Sequence, residues 1–263
     1  MTYTQALVLG IVQGLTEFLP VSSSGHLILV PFVLGWPDQG LAFDAVIHVG
    51  TLAALLAYFR GEMLALVSGT LSPRVGLVLL AATVPAGLAG LAFGSLIERS
   101  LRSPVFVAAS LVVWGLVMWV ADRRASTAPA GPGDPLERVG WGRGLGVGMA
   151  QALALLPGTS RSGITISAGL LGGLDRATAA RFSFLLGIPI TGAAAGLKLL
   201  QLLGAGLAPG EGGPLLAALA ASFASGWLAV WFLVRYLKRR SLHPFVVYRV
   251  ALAAVILVVA ARG

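Results

Sequence analysis

The sequence predicts an all-α integral membrane protein, a polytopic helical bundle built from two inverted repeats that each contain a broken helix pair. Three observations carry this: long apolar runs without charge, two apolar segments interrupted by proline and small polar residues, and a match between those two segments. Of 263 residues, 57% are hydrophobic and only 11% charged, and mean hydropathy is +0.91. A soluble domain carries roughly 25% charged residues. Val75–Ile97, Ser103–Ala121 and Leu215–Val234 hold no charge at all, and each matches the roughly 20 apolar residues that a membrane-spanning helix needs. Three such runs exclude a protein with a single anchor.

Six segments read as ordinary spans: Ala42–Phe59, Val75–Ile97, Pro104–Ala121, Phe182–Leu203, Leu215–Val234 and Phe245–Ala261. Two further apolar regions are broken. Thr4–Gly35 is interrupted by Pro20 and Ser22-Ser23-Ser24-Gly25-His26, and Gly144–Leu174 by Pro157-Gly158-Thr159-Ser160-Arg161-Ser162-Gly163. The offset that lays Gln13 on Gln151 also lays Gly10 on Gly148, Leu15 on Leu153, Ser22 on Ser160, Ser24 on Ser162 and Gly25 on Gly163. Matched Gln, Ser and Gly within apolar sequence indicate a diverged internal duplication, and membrane repeats of this kind often have inverted topology. The division is 1–122 for the first repeat, 123–142 for a Pro-, Gly- and charge-rich linker, and 143–263 for the second, all within one structural domain. The Gly-rich run Gly87–Gly94 reads as a helix-packing face.

The Met1-Thr2-Tyr3-Thr4-Gln5 start has no basic leader and makes a poor secretory signal. With no cysteine, disulfides and thiolate chemistry are absent. The net charge of +8 sits in short loops, which points to membrane orientation and anionic lipid rather than to nucleic acid. Arg235, Lys238, Arg239 and Arg240 mark the loop before His243 as cytoplasmic, with the linker on the same side. The Lys/Arg-free loop Gly204–Gly213 then lies outside, as does the C-terminus.

Backbone that leaves the helix inside a bilayer is tolerated where it is buried in protein or lines a cavity. Pro20 and Pro157 each force such a departure, and the Ser/Thr/Gly cluster after each can cap the next short helix. A helix N-terminus is a ready phosphate site, and Arg161 beside one adds a planar fork for two phosphate oxygens. Glu17 lies four residues after Gln13, on the same helix face. It can ligate a divalent cation, Mg2+ or Ca2+, or pair with Arg161. Ser23 and His26 lie three apart; either Ser23 is a nucleophile with His26 as base, or His26 is the nucleophile and serine binds phosphate. Ser22, Ser24, Ser160, Ser162 and Thr165 either bind substrate or only bond across helices. Asp44 and His48 form an i, i+4 pair that is structural or orients His26, and Lys198 snorkels or fills a polar gap.

Gln13-Gly14-Leu15-Thr16-Glu17-Phe18-Leu19-Pro20-Val21-Ser22-Ser23-Ser24-Gly25-His26 resembles the first signature of the undecaprenyl-diphosphate phosphatase (bacitracin-resistance) family. Pro157-Gly158-Thr159-Ser160-Arg161-Ser162-Gly163-Ile164-Thr165 is similar to its second, and Arg181-Phe182-Ser183-Phe184-Leu185-Leu186 to a further shared stretch. The resemblance implies two inverted repeats, each with a re-entrant helix pair, and hydrolysis of undecaprenyl diphosphate to undecaprenyl phosphate, the recycled carrier of cell-wall sugars. It implies a divalent cation and a multi-pass enzyme of the bacterial plasma (inner) membrane whose site opens toward the outer face. By motif position Glu17, Ser23, His26 and Arg161 are its central residues, with Glu17 the metal ligand, and Gln13, Ser160, Ser162 and Thr165 are supporting ones that bind substrate; Ser22 and Ser24 are expected to bind substrate beside them. One departure is Gln13, where the family often has Glu; a neutral amide removes one metal ligand. Expected partners are the polyprenyl diphosphate lipid and membrane lipids, with no nucleic acid, and a homodimer stays open. The alternative function is a polyprenyl-phosphate transporter or flippase, since inverted repeats with broken helices are also a transporter architecture.

Overall fold

The computed structural model describes residues 1–37, 39–101, 103–126, 133–206 and 209–261. Among them every regular element is helical: α1 (Tyr3–Phe18), α2 (Ser23–Leu34), α3 (Gly40–Tyr58), α4 (Arg60–Val67), α5 (Pro73–Ser100), α6 (Pro104–Arg123), α7 (Trp141–Ala152), α8 (Arg161–Leu171), α9 (Arg176–Ala205), α10 (Gly212–Tyr236) and α11 (His243–Ala260), with 3-10 turns at Pro135–Arg138 and Leu153–Leu155. Five helices are long and apolar enough to cross a membrane: α5, α6, α9, α10 and α11. A sixth span is counted if α3 is joined to α4 across a 66° bend. All six ordinary spans expected from sequence are helices. Short α4 was not expected; it has no buried residue and exposes Leu64 and Val67.

The two broken regions are pairs of short helices, α1 (16 residues) with α2 (12) and α7 (12) with α8 (11). At about 1.5 Å per residue, none of the four matches a core about 30 Å thick. The outer surface is apolar: α5 exposes Leu77, Leu80, Val84, Leu88 and Leu91 at helical spacing. In water that stripe would be strongly unfavourable; against lipid it costs nothing.

Helices of one half pack on helices of the other: α1 and α3 on α10, α7 on α5, α3 on α9, and α6 on α11. Three of these seams need glycine. A Cβ on Gly50 of α3 would lie 2.8 Å from Leu219 O of α10. A Cβ on Gly14 would lie 2.0 Å from Ser225 Oγ, and one on Gly148 would lie 2.2 Å from Ala82 O. These seams, not the Gly87–Gly94 run, are where helices meet closely; Gly87 and Gly94 have open space beside them. The largest core cluster includes Phe18, Phe59 and Phe184, with Phe18 edge-on to Phe184 at 5.8 Å.

Residues 127–132 of the expected linker lie outside the described residues. The rest is anchored. Leu136 is fully buried, Glu137 accepts from Ser72 N at 3.1 Å, and Asp134 pairs with Arg181 at 3.1 Å.

Candidate active site

The two breaks form by the same local rules. Leu19 (ψ 140) and Leu156 (ψ 122) are extended, as residues before proline must be. Ser22 (φ 74) and Ser160 (φ 71) are the non-glycine residues with positive φ among the described residues. Such conformations cost about 1–3 kcal/mol each and persist only where the surroundings hold them. Each serine precedes a short helix, and in each the hydroxyl lies 3.2 Å from the serine two residues on, Ser24 or Ser162. Ser160 also caps α8 through Gly163 N.

The breaks are bonded to each other. Ser162 donates to Leu19 O at 3.3 Å, and Gly158 N donates to Ser24 Oγ at 3.4 Å. Beneath both lies Arg249 of α11, only 1% exposed. It donates to Gly158 O (2.8 Å), Leu111 O (3.1 Å) and Pro20 O (3.4 Å). No carboxylate pairs with it among the described residues. Its charge is spread over three carbonyls, two of them on the breaks, which satisfies guanidinium and carbonyls at once.

Glu17, on the last turn of α1, collects the polar groups of both breaks. Oε2 accepts from Ser23 Oγ at 2.9 Å and from Gln13 Nε2 at 3.2 Å. Oε1 accepts from Arg161 Nη2 at 3.2 Å. Arg161 presses against α9 where only glycine fits, since a Cβ on Gly187 would lie 2.1 Å from Nη1. Its Nε and Nη1 are buried without a partner, as is Gln13 Oε1; Gln151, at the position matching Gln13, has neither amide atom bonded. Donors left free beside a carboxylate–hydroxyl pair suit an anionic ligand. Thr165 does not face this cluster; it bonds Arg161 O (2.7 Å) and Ser183 Oγ (2.6 Å) and so fixes α8 on α9.

His26 sits differently from the expected serine–histidine pair. Nδ1 faces the Ser22 carbonyl at 2.7 Å and Nε2 the Tyr248 hydroxyl at 2.6 Å. The carbonyl can only accept, so Nδ1 carries the proton and, in the neutral ring, Nε2 accepts from Tyr248. The carboxylate that Ser23 Oγ meets is Glu17. Asp44 orients neither histidine with its carboxylate: that group takes Lys198 Nζ at 2.8 Å, while His48 Nδ1 bonds the Asp44 carbonyl at 2.7 Å. Lys198 is thus paired, not snorkelling.

The family description "Bacitracin resistance protein BacA" matches residues 6–255. The chain belongs to this family. It is 48% identical to the undecaprenyl-diphosphatase of Gemmatimonas aurantiaca, with 97% of each chain covered. It is 46% identical to the undecaprenyl-diphosphatase of Geobacter sulfurreducens and 45% identical to undecaprenyl-diphosphatase 2 of Stutzerimonas stutzeri, with 98% of each chain covered in both cases. The BacA match spans both breaks and both halves.

Within this chain the structure brings Gln13, Glu17, Ser23 and Arg161 into one bonded cluster, with Ser22, Ser24, Ser160 and Ser162 around it. Three participants escaped the sequence reading: Gly187, Tyr248 and Arg249. Arg249 had a usable signal, being the one charged residue in the Phe245–Ala261 run, since ionisable groups within a span are functional or paired by default.

Proposed function

We propose that this protein hydrolyses undecaprenyl diphosphate to undecaprenyl phosphate and inorganic phosphate, recycling the lipid carrier for cell-wall synthesis and conferring bacitracin resistance. The observation that carries this reading is the Ser23–Glu17 hydrogen bond beside Arg161, in a bundle whose relatives are named for that activity. A nucleophile, a base within reach and a cation with free donors are the parts that phosphoryl transfer needs.

The terminal phosphoryl group sits between the N-termini of α2 and α8, against Arg161. Ser23 Oγ attacks its phosphorus; the bond to the bridging oxygen breaks, and undecaprenyl phosphate leaves with the electron pair. Glu17 takes the Ser23 proton. Water then cleaves the Oγ–P bond, releasing phosphate and restoring the serine. Arg161 and the helix N-termini stabilise the charge on the phosphoryl oxygens. His26 holds the Ser22 carbonyl, and with it the turn that presents Ser23.

A divalent cation belongs to this proposal. The Glu17 carboxylate and the unpartnered Gln13 Oε1 are hard oxygen donors that suit Mg2+ or Ca2+. Among the described residues no three His, Asp or Glu side chains cluster, so substrate oxygens and water would complete the shell. When bound, the cation would neutralise diphosphate charge.

The halves are read as inverted repeats. Support comes from the matched serines with positive φ and from reciprocal packing, in which α1 lies on α10 as α7 lies on α5. The chain sits in the bacterial inner membrane with its Arg-rich end in the cytoplasm, and α2 runs from the site toward the opposite, outer face. The test is phosphate release from undecaprenyl diphosphate by the purified protein, with and without chelator. Cation-dependent release is expected; folded protein that releases none would return the transport reading.

A further inference from the structure

The basic end of the molecule holds groups that the hydrolytic site does not use. After α10 the chain turns sharply, with Arg239 N and Arg240 N both bonded to Tyr236 O. This fixes Lys238, Arg239 and Arg240 against the end of the helix. All three are exposed, and among the described residues no acidic side chain pairs with them. The nearby cations of α9 are already engaged, Arg181 by Glu62 and Asp134, and Arg176 by Asp122. This turn therefore carries a cluster of surplus charge, separate from Arg123 and Arg124 at the end of α6.

Two cavities meet there and share Arg239 and Arg240. The larger, about 720 Å³, is lined by Lys238 as well. The smaller, about 300 Å³, is walled by Trp231, Phe232, Arg235 and Tyr236 as well. Arg235 lies over the Trp231 ring at 4.5 Å, and among the described residues no carboxylate pairs with it. Trp231 and Arg235 lie four apart on one face of α10, and Arg239 and Arg240 follow in the turn after the helix, so the stripe passes from aromatic to cationic as it leaves the apolar belt. Trp231 and Phe232 are 37% and 43% exposed at its apolar end.

We propose that this stripe is a binding site for an anionic glycerophospholipid, its phosphate held by Arg235, Arg239 and Arg240 and its acyl chains lying along Trp231 and Phe232. The order of groups along the stripe matches that of the ligand, apolar within the bilayer and anionic at its surface. Three guanidinium groups that pair with no carboxylate among the described residues complement the phosphodiester, and aromatic side chains at this depth suit the headgroup boundary. A free phosphate would use the arginines and leave the aromatic wall without a role. The inference rests on the membrane placement of α10 and not on the hydrolytic reading.

The test uses the delipidated, detergent-purified full chain, titrated with phosphatidylglycerol, phosphatidylcholine or inorganic phosphate and followed by native mass spectrometry and thermal shift. Phosphatidylglycerol is expected to bind and raise the melting temperature, and the other two to do neither. Removing two cations in Arg239→Gln/Arg240→Gln should weaken phosphatidylglycerol about 30-fold at roughly fivefold per basic residue. The charge-matched control Arg123→Gln/Arg124→Gln, at the end of α6, should leave it unchanged. Trp231→Ala, which keeps every charge, should weaken it too and covers the case where the double variant fails to fold. Equal retention of phosphatidylcholine, equal loss in the control, or unchanged affinity in Trp231→Ala would overturn the proposal. Protection by inorganic phosphate that depends on the same arginines would assign a free-anion site instead.

Discussion

At Pro20 and at Pro157 the chain makes the same departure from helix: an extended leucine before the proline, a serine with positive φ after it, and a second serine hydroxyl 3.2 Å away. What the two breaks carry differs. The offset that matches them lays Glu17 on Leu155, Ser23 on Arg161 and His26 on Ile164. The first break holds the carboxylate, the Ser23 hydroxyl and the imidazole; the second holds the guanidinium. Each break leads into a helix N-terminus, and under the proposed function the first carries the chemistry and the second the grip on the anion. Neither half is a site alone, because the Glu17–Arg161 pair spans the two.

The largest expected effect breaks that division of labour. Glu17→Gln removes the base for Ser23 and the partner of Arg161 together, and phosphate release should fall about a thousandfold, within the range for a lost general base. Initial rates on the purified variant check this. Next is Arg249→Met, which frees three carbonyls and unlocks both breaks at once. A cost of about 3 kcal/mol is expected from lost charge-assisted bonds, read by denaturant or thermal unfolding, and Arg249→Lys should recover part of it. Gly187→Ala pushes on Arg161 alone, because the new methyl would sit 2.1 Å from Nη1. Turnover should fall about a hundredfold, as for one misplaced electrostatic donor, while the melting temperature changes little.

The smallest effect lies outside the breaks, at Asp134. Burial pushes its carboxyl up, but the Leu136 N–H and Arg181 outweigh burial and hold it below the ordinary carboxylate value. A lowered value means its contribution is complete above roughly pH 4 and is lost as pH falls through the lowered value. The stability difference between wild type and Asp134→Asn should therefore close on acidification and stay flat above neutrality.

The spans and the breaks were legible in the sequence because each is a local pattern: an apolar run of sufficient length, or a proline within one. Glu17, Ser23 and Arg161 were legible because they sit in polar clusters that apolar sequence does not otherwise tolerate. The partnerships were not. Tyr248 meets His26 across 222 positions, and Lys198 meets Asp44 across 154; such contacts depend on how helices pack, which periodicity does not specify. Gly187 looked like any glycine in a span, and only Arg161 lying against it gives it a role. The pairing of Ser23 with His26 followed from spacing alone. The turn at Ser22 instead aims the ring back at its own backbone, leaving the carboxylate one turn away in α1 to meet the hydroxyl.

That last point is the centre of the account, and turnover of Ser23→Ala against His26→Gln tests it most directly. If Ser23 is the nucleophile and Glu17 its base, Ser23→Ala should lose at least about a hundredfold, and His26→Gln, which can still bond the Ser22 carbonyl, should retain most activity. Near-normal turnover in Ser23→Ala with a dead His26→Gln would contradict it and make the imidazole the reacting group.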